Sequence, residues 1–545
     1  DECVVPKYDY FHQYADTVNV SFGQITDKPF ASGEEAGSNC INSLWEELLN
    51  ANFEIKYSGT SSNISTLVNV SMISDDLPDI TPCSETMFGE LYEQEMLCDL
   101  TDYYEYYASP ALKQILEYNT IADLSSATEE EKSQLSGCNL LASCKKVEGD
   151  EERLYAIPML LDKYTYCPYV WIRSDWLDEM GEQMPTTRGE ILALAEKFKS
   201  RPDCSYPIYT NDINFLYEWF GGIPSFYEQD YTTGAWSYST IGDSFKNALE
   251  SVRQLGQSGM IDTRIFSEAS NAAAEVKQGN VGIYIGYFWQ PQGGDISIVA
   301  QSKNIDWRVM PLCDENGDVI EVYTKPNIQN YYVVSSKCKN PELLFLMLNH
   351  MVEQWVNPDS TSSTYTERVL ELMEMPKYED LANYMGEWGP VIFDVPDKNY
   401  YMSLDIRNTI AENGTESDLK YSFSKYNYGL IKEYLSQGQS PASNNYNWIY
   451  YKIFYESASM ADKFFDRMNY GGYFGTATTG MLNYAVSISN VENTYISNMV
   501  LQSTPISDKQ FEEFKAKMIQ AGVDSVLEEL ERDYKYKWWK GEESA

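Results

Sequence analysis

Few side chains in this sequence suit covalent chemistry. It holds two histidines, His12 and His350, and no GxSxG elbow, HExxH pair or phosphate-binding loop, so nucleophilic, zinc-hydrolase and nucleotide-driven reactions lack their usual parts. Ten cysteines stand at 3, 40, 83, 98, 138, 144, 167, 204, 313 and 338 with no CxxC spacing, which excludes a zinc knuckle or thioredoxin motif. They read as buried free thiols, with Cys138 and Cys144 the one pair to test for a bridge. The 82 acidic residues form so many carboxylate pairs that counting them says nothing about glycoside cleavage.

Aromatic surface is what the chain has in excess. Its 44 Tyr, 21 Phe and 12 Trp favour a flat apolar face with a polar tip, the combination that meets the C–H faces and hydroxyls of a pyranose ring. Trp289 ends the glycine-bearing run GNVGIYIGYFWQP at 279–291, where at most one of Tyr287 and Phe288 shares its face. A core tryptophan capping the strand is the alternative there. Trp219, Phe226 and Tyr227 belong to the glycine-interrupted stretch YEWFGGIPSFYEQDYTTGAW, where core and ligand readings stand level. Trp388, in MGEWGP between Gly386 and Gly389, reads as an exposed loop residue suited to stacking. Trp355 lies on an apolar helical face and reads as core, and Trp538 and Trp539 as packing or surface residues.

The elements that would position these rings alternate in type. Val18, Val20 and Phe22 predict a strand, Leu44, Trp45, Leu48 and Leu49 a helix, and Phe53, Ile55 and Tyr57 a second strand, the opening of an α/β lobe. Leu67, Val70 and Ile73 suggest a further helix, and Pro78 in SDDLPDI forces extended backbone. The polar run from Ser125 to Lys146 reads as an exposed insertion. Tyr155, Ile157 and Pro158 lead to a first crossing between lobes, with a strand at Tyr169–Ile172 and a helix at Asp175–Met180 beyond it. Asp162 and Tyr164 fall where that hinge meets a cleft, and Asp162 is either an acceptor for ligand hydroxyls or an exposed hinge carboxylate. Glu85 is the first-lobe candidate. Thr187 with Glu190 and Ser507 with Gln510 predict capping boxes, and Gly522 precedes a last amphipathic helix through Val526, Leu527, Leu530 and Tyr534. Asp314, Asn316 and Asp318 alternate like a calcium loop, but the sixth-position glycine is missing, and a turn at Asn316–Gly317 is preferred.

At 545 residues the chain exceeds what one core accommodates, so at least two lobes are expected. A net charge of −42 argues against nucleic acid or an anionic membrane surface as a direct partner. No run of about 18 apolar residues occurs. The polar start at Asp1 reads as a mature or trimmed chain whose anchoring cysteine, if any, has been removed; Cys3 does not fit, because a processed lipobox cysteine comes first.

Five stretches in this order carry a family resemblance: SDDLPDI at 74–80, LYAIPM at 154–159, WIRSDWLDEMGEQMPTTRGEI at 171–191, NYGGYFGTATTGM at 469–481 and ISDKQFEEFKAKMIQAGVDSVLEEL at 506–530. Together they resemble the extracellular solute-binding proteins of family 1, in particular the LipO-like lipoprotein branch that includes alginate-binding proteins. The resemblance implies an α/β, two-lobed periplasmic-binding-protein-like fold of an enlarged type II, each lobe a mixed sheet flanked by helices, with a ligand cleft between them. It divides the chain into an N-terminal lobe, 1–160 with 328–390, and a C-terminal lobe, 161–327 with 391–545. It places Trp289 on the cleft wall and turns the Trp219 loop toward the ligand. It also implies the solute-binding subunit of a bacterial ABC importer. Such a subunit is a monomer, lipid-anchored on the outer surface of a Gram-positive cell, that passes an oligosaccharide to the permease and needs no enzymatic activity. A peptide-binding subunit and a secreted polysaccharide hydrolase or lyase are the alternatives. The family's calcium loop is not carried over and no cofactor is expected, since the stretch KSRPDCSYPIYTND has only Asp203, Asn211 and Asp212. A neutral manno- or xylo-oligosaccharide is favoured over a uronate, with Arg173, Lys163 and Arg407 as the cations to watch.

Overall fold

Strands with one or two apolar faces assemble into two separate mixed sheets, one in each lobe. The computed structural model describes residues 5–27, 29–30, 32–128, 140–148, 151–230, 233–266, 269–323, 328–356, 388–421, 424–469, 472–473 and 477–533. Cys3, Cys138, Tyr534, Trp538 and Trp539 lie outside the described residues, as does the side chain of Trp355.

In chain order the strands are β1 (Val18–Ile25), β2 (Ala51–Gly59), β3 (Ile80–Cys83), β4 (Lys145–Glu148), β5 (Glu151–Leu154), β6 (Ala156–Leu160), β7 (Pro168–Arg173) and β8 (Ile208–Thr210). They continue with β9 (Tyr227–Gln229), β10 (Trp236–Tyr238), β11 (Ile283–Tyr287), β12 (Trp307–Pro311), β13 (Val322–Tyr323), β14 (Ile328–Val334) and β15 (Met468–Asn469). The first sheet runs β2-β1-β3-β14-β6 and the second β12-β7-β11-β8. β1 pairs parallel with β2 and β3, and β14 runs antiparallel to β3 and β6. β7 runs antiparallel to β11 and β12, while β8 lies parallel to β11. Burial explains the patterns read from sequence: β1, flanked on both sides, is buried along most of its length, whereas the edge strand β2 alternates.

Each sheet has its own core. Phe22, Trp45, Phe88 and Leu346 belong to the first, which draws on residues 5–160, 331–352 and 388–395 and on Tyr421. Trp176, Phe198, Leu249, Phe514 and Val526 belong to the second, and Trp171, Tyr284, Trp307, Trp448 and Phe464 form a further cluster with it in the same lobe. Gly282 makes the second core possible, because a Cβ there would stand 2.4 Å from the Phe198 ring and 2.6 Å from the Trp176 ring. The first core ends at Leu160, resumes at Tyr331 and, apart from Tyr421, ends again at Val395, which marks three crossings between the lobes.

Local signals fare unevenly. Thr187 and Ser507 cap their helices by accepting the backbone N–H groups of Glu190 and Gln510. Glu190 does not close its box on Thr187; its carboxylate accepts from the Thr186 N–H and hydroxyl. The Asn316–Gly317 turn forms, with Gly317 at φ 85° and the Asp314 carboxylate taking the N–H groups of Asn316 and Asp318. The helix Ile64–Ile73 exists, but its buried face is Ile64, Val68 and Ser71, leaving Val70 61% and Ile73 78% exposed. The reading of Ser125–Lys146 as wholly exposed is corrected at its end, where Leu140, Leu141 and Cys144 enter the first core and β4 begins. Cys83, Cys144, Cys167 and Cys313 are buried free thiols and Cys40 is buried as well, while Cys98, Cys204 and Cys338 are half-buried.

Candidate functional site

The strand registers bring the carboxyl ends of both sheets to the crossing. In the second sheet Tyr287 at the end of β11 sits beside Pro168 at the start of β7, Pro311 at the end of β12 beside Tyr169, and Thr210 at the end of β8 beside Ile285. In the first sheet Ile25 ends level with Gly59, and Cys83 lies beside Tyr331, which pairs in turn with Pro158 near the end of β6. The loop after β11 reaches the crossing segment, where the Trp289 indole meets the Thr165 carbonyl, and the carboxyl ends of open α/β sheets are where such sheets bind ligands.

Three rings form a ledge there. Trp289 stacks on Tyr287 with centroids 4.8 Å apart and planes 7° from parallel, and Tyr166, 47% exposed on the crossing segment, meets Tyr287 edge-on at 5.8 Å. The ledge is fixed from behind: the Trp171 indole donates to the Tyr287 carbonyl at 3.1 Å, the Ser457 hydroxyl to the Phe288 carbonyl at 2.9 Å, and the Trp289 indole to the Thr165 carbonyl at 3.0 Å. Phe288 turns the other way, into the core. Polar groups flank the rings. The Tyr287 hydroxyl donates to Asp212 at 2.9 Å, and Asn211 donates to the Gln290 side-chain oxygen at 3.1 Å. Glu218 has a buried oxygen with no hydrogen-bond partner, and burial, reinforced by the Asp212 charge, pushes its carboxyl well above the ordinary range.

The other sequence candidates fall in different places. Glu85 opens the helix Glu85–Glu93 at the end of β3, half-buried on the first lobe. Asp162 is buried, which corrects the exposed-carboxylate reading; its oxygens accept the Tyr164 N–H at 2.8 Å and the Asn399 N–H at 3.0 Å. Burial raises its carboxyl to about 7 despite those two bonds, with Asp394 and Asp397 adding to the shift. Tyr164 is buried and stacks on Phe465 at 5.6 Å. Trp219 is 1% exposed in the second core, its indole donating to the Cys313 carbonyl at 2.8 Å, so it presents no face to a ligand here. Phe226 is buried against Gly472, where a Cβ would stand 2.2 Å from its ring, and Tyr227 leans on Tyr238 at 4.8 Å. Trp388 is 2% exposed rather than an exposed loop residue. Its loop lies flat on the first lobe, with Gly389 close to Ile41 and Trp45 and the Trp388 carbonyl taking the Gln24 amide at 2.7 Å. Sequence reasoning missed Tyr166 and Glu218, and weighed Asn211 and Asp212 only as metal ligands. Their signal was the strand IYT ending in two polar residues, Asn211 and Asp212.

The acidic residues of the stretch KSRPDCSYPIYTND have protein partners. Asp203 pairs with Arg201 at 2.9 Å, Asp212 accepts from the Asn214 N–H and Tyr287, and no group of three His, Cys, Asp or Glu suited to an ion occurs among the described residues. Of the three cations, Lys163 bonds the Asn119 carbonyl and lies 3.7 Å from Asp397. Arg173 holds Asp175 and the Gly279 carbonyl at the far end of β7, and Arg407 holds the Tyr455 carbonyl.

No family model matches the chain. A 115-residue stretch, 19% of the chain, is 25% identical to the fructooligosaccharide ABC transporter substrate-binding protein FusA of Streptococcus pneumoniae, and spans about a fifth (21%) of that relative's length. Solved structures align along nearly the whole chain. The human-milk-oligosaccharide (HMO) binding, ABC-transporter-associated solute-binding protein of Bifidobacterium longum infantis matches at 12% identity and TM-score 0.58, covering 96% of this chain and 100% of its own. The alginate-binding protein AlgQ2 without calcium matches at 15% and 0.54, covering 97% and 100%. FusA of S. pneumoniae in complex with kestose matches at 18% and 0.52, covering 95% and 98%. The chain therefore has the two-lobed, periplasmic-binding-protein-like fold of the solute-binding proteins that serve ABC transporters.

Proposed function

We propose that this chain is the solute-binding subunit of an ABC importer. It captures a neutral oligosaccharide, of the manno- or xylo- class, between its lobes and delivers it to the membrane permease. The observation that carries this reading is the ledge of Tyr166, Tyr287 and Trp289, fixed from behind and flanked by Asn211, Asp212 and Gln290 at the carboxyl ends of the second sheet. Flat faces bordered by hydroxyl-seeking groups suit pyranose rings. Neutrality is supported by the cations: Lys163, Arg173 and Arg407 are all engaged away from the ledge, while Asp212 and Glu218 stand beside it. The names of the matched proteins, which give fructooligosaccharide, HMO, kestose and alginate as ligands, support a glycan over a peptide. In this reading the protein is a non-enzymatic monomer, lipid-anchored on the outside of a Gram-positive cell.

Binding closes the lobes, and the permease reads the closed form. Titration calorimetry against manno-, xylo-, fructo- and uronate oligosaccharides and a peptide panel tests the reading, with small-angle scattering at saturation. Heat from a neutral glycan and compaction of the particle are expected. Binding of peptides alone, or chromatographic detection of cleaved glycan, overturns it.

A further inference from the structure

The aromatic ledge is not held by its own lobe alone. The Trp289 indole bonds to the Thr165 carbonyl, which belongs to the crossing segment, across 3.0 Å. That carbonyl is set by a tight turn from Asp162 to Thr165, closed by the Thr165 N–H on the Asp162 carbonyl at 3.1 Å and by the Thr165 hydroxyl on the same carbonyl at 2.6 Å. The Asp162 side chain completes the turn by taking the Tyr164 N–H at 2.8 Å, the Asx arrangement that fixes such turns. Its second oxygen reaches out of the turn to the Asn399 N–H at 3.0 Å, at the start of the helix Lys398–Ala411 that follows the third crossing. The Lys163 N–H bonds the Pro396 carbonyl at 2.5 Å beside it.

We propose that Asp162 is a positioning residue that sets the stacking ledge from the hinge, tying the first and third crossings to the orientation of Trp289 through the Thr165 carbonyl. Asp162 touches no ligand in this scheme. It holds the turn, the turn presents the carbonyl, and the carbonyl fixes the indole plane against Tyr287. Rotation at the crossings is thereby felt at the ledge, and ligand stacked on the ledge is felt at the crossings. The proposal rests on the reading of Trp289 as the stacking face.

The test reads the indole N–H resonance of Trp289 in the 15N-labelled protein without ligand, assigned by its disappearance in Trp289→Phe. In Asp162→Ala this resonance is expected to move upfield as its hydrogen bond loosens, and affinity for the best glycan of the panel to fall about three- to tenfold. Asp162→Asn keeps an oxygen for the Tyr164 N–H and is expected to restore the resonance while losing the bond to Asn399. Should Asp162→Ala fail to fold, Thr165→Val, which removes only the hydroxyl bond closing the turn, is expected to shift the same resonance. A Trp289 resonance unmoved in every folded variant overturns the proposal. The resonance is measured without ligand, so a chain that binds no glycan defeats the functional reading while the resonance still decides the positioning role.

Discussion

Replacing Trp289 with alanine is the sharpest test of the ledge. The indole is held on one face by Tyr287, 4.8 Å away and nearly parallel, and at its edge by the Thr165 carbonyl at 3.0 Å, so little of its freedom remains to be lost when a sugar ring docks. The interaction lost on truncation therefore reports as affinity rather than as ordering. For a well-packed aromatic anchor this amounts to about 1–3 kcal/mol, which converts to about a 5- to 150-fold rise in Kd. Trp289→Phe keeps an aromatic face and forfeits the indole bond, so its loss is the smaller of the two, about two- to tenfold. Calorimetric titration with the best-binding oligosaccharide, on variants whose melting curves show a folded protein, measures both. A folded Trp289→Ala whose Kd stays within about twofold of the parent refutes the assignment, since no stacked anchor at an interface centre is that cheap to remove.

Three further outcomes follow from buried charge. His350 is buried and its pKa is lowered to about 4, so the unfolded chain binds the proton more readily. Stability should decline as pH falls from about 6.5 toward 4, by at most roughly 3 kcal/mol, a slope that His350→Gln flattens in denaturation midpoints taken across that range. Glu218 has the opposite sign: with its carboxyl raised, stability is fully present below the ordinary carboxylate range and falls as pH rises above it, so Glu218→Gln should stabilise more at pH 8 than at pH 5 in urea melts. Asp306, 44% exposed, accepts from the Trp448 indole and from the buried Lys452 ammonium, both at 2.9 Å, and Lys452 also pairs with Glu456 at 2.6 Å, so Asp306→Ala should cost only about 1–2 kcal/mol in urea melts and the double change with Glu456→Ala distinctly more.

How legible the protein was in its sequence depended on whether a signal was local. Alternation marked β1 and β2, the cap at Thr187 marked its helix, and the glycine-bearing run marked β11, whose preceding residue Gly282 presses against Trp176 and Phe198. Trp289 was singled out because it follows that strand. Trp219 and Trp388 could not be separated from it, because glycine-flanked loops either stand out from a lobe or lie flat on it. The Cys313 carbonyl and the Gln24 amide, distant in sequence, decided for burial. Tyr166 joined the ledge only through the pairing of Pro168 with Tyr287, a register that spacing does not reveal. The inward face of the helix Ile64–Ile73 was misjudged because its apolar residues occupy more than one face, and only the sheet chooses among them.

The division of the cores also bears on how the chain is made. The second lobe begins at β7, yet its core includes Phe511, Phe514, Val526 and Leu530, and the first includes Val391, Phe393 and Val395. A chain emerging from the ribosome amino end first therefore carries β10 and the helix Asp243–Gln257 through a long stretch of synthesis before the helices Thr479–Leu501 and Val523–Asp533 that pack on them exist. Until its distant segment arrives, neither lobe has its complete core. Each lobe therefore stays open at one side until the last segment of its core has been made.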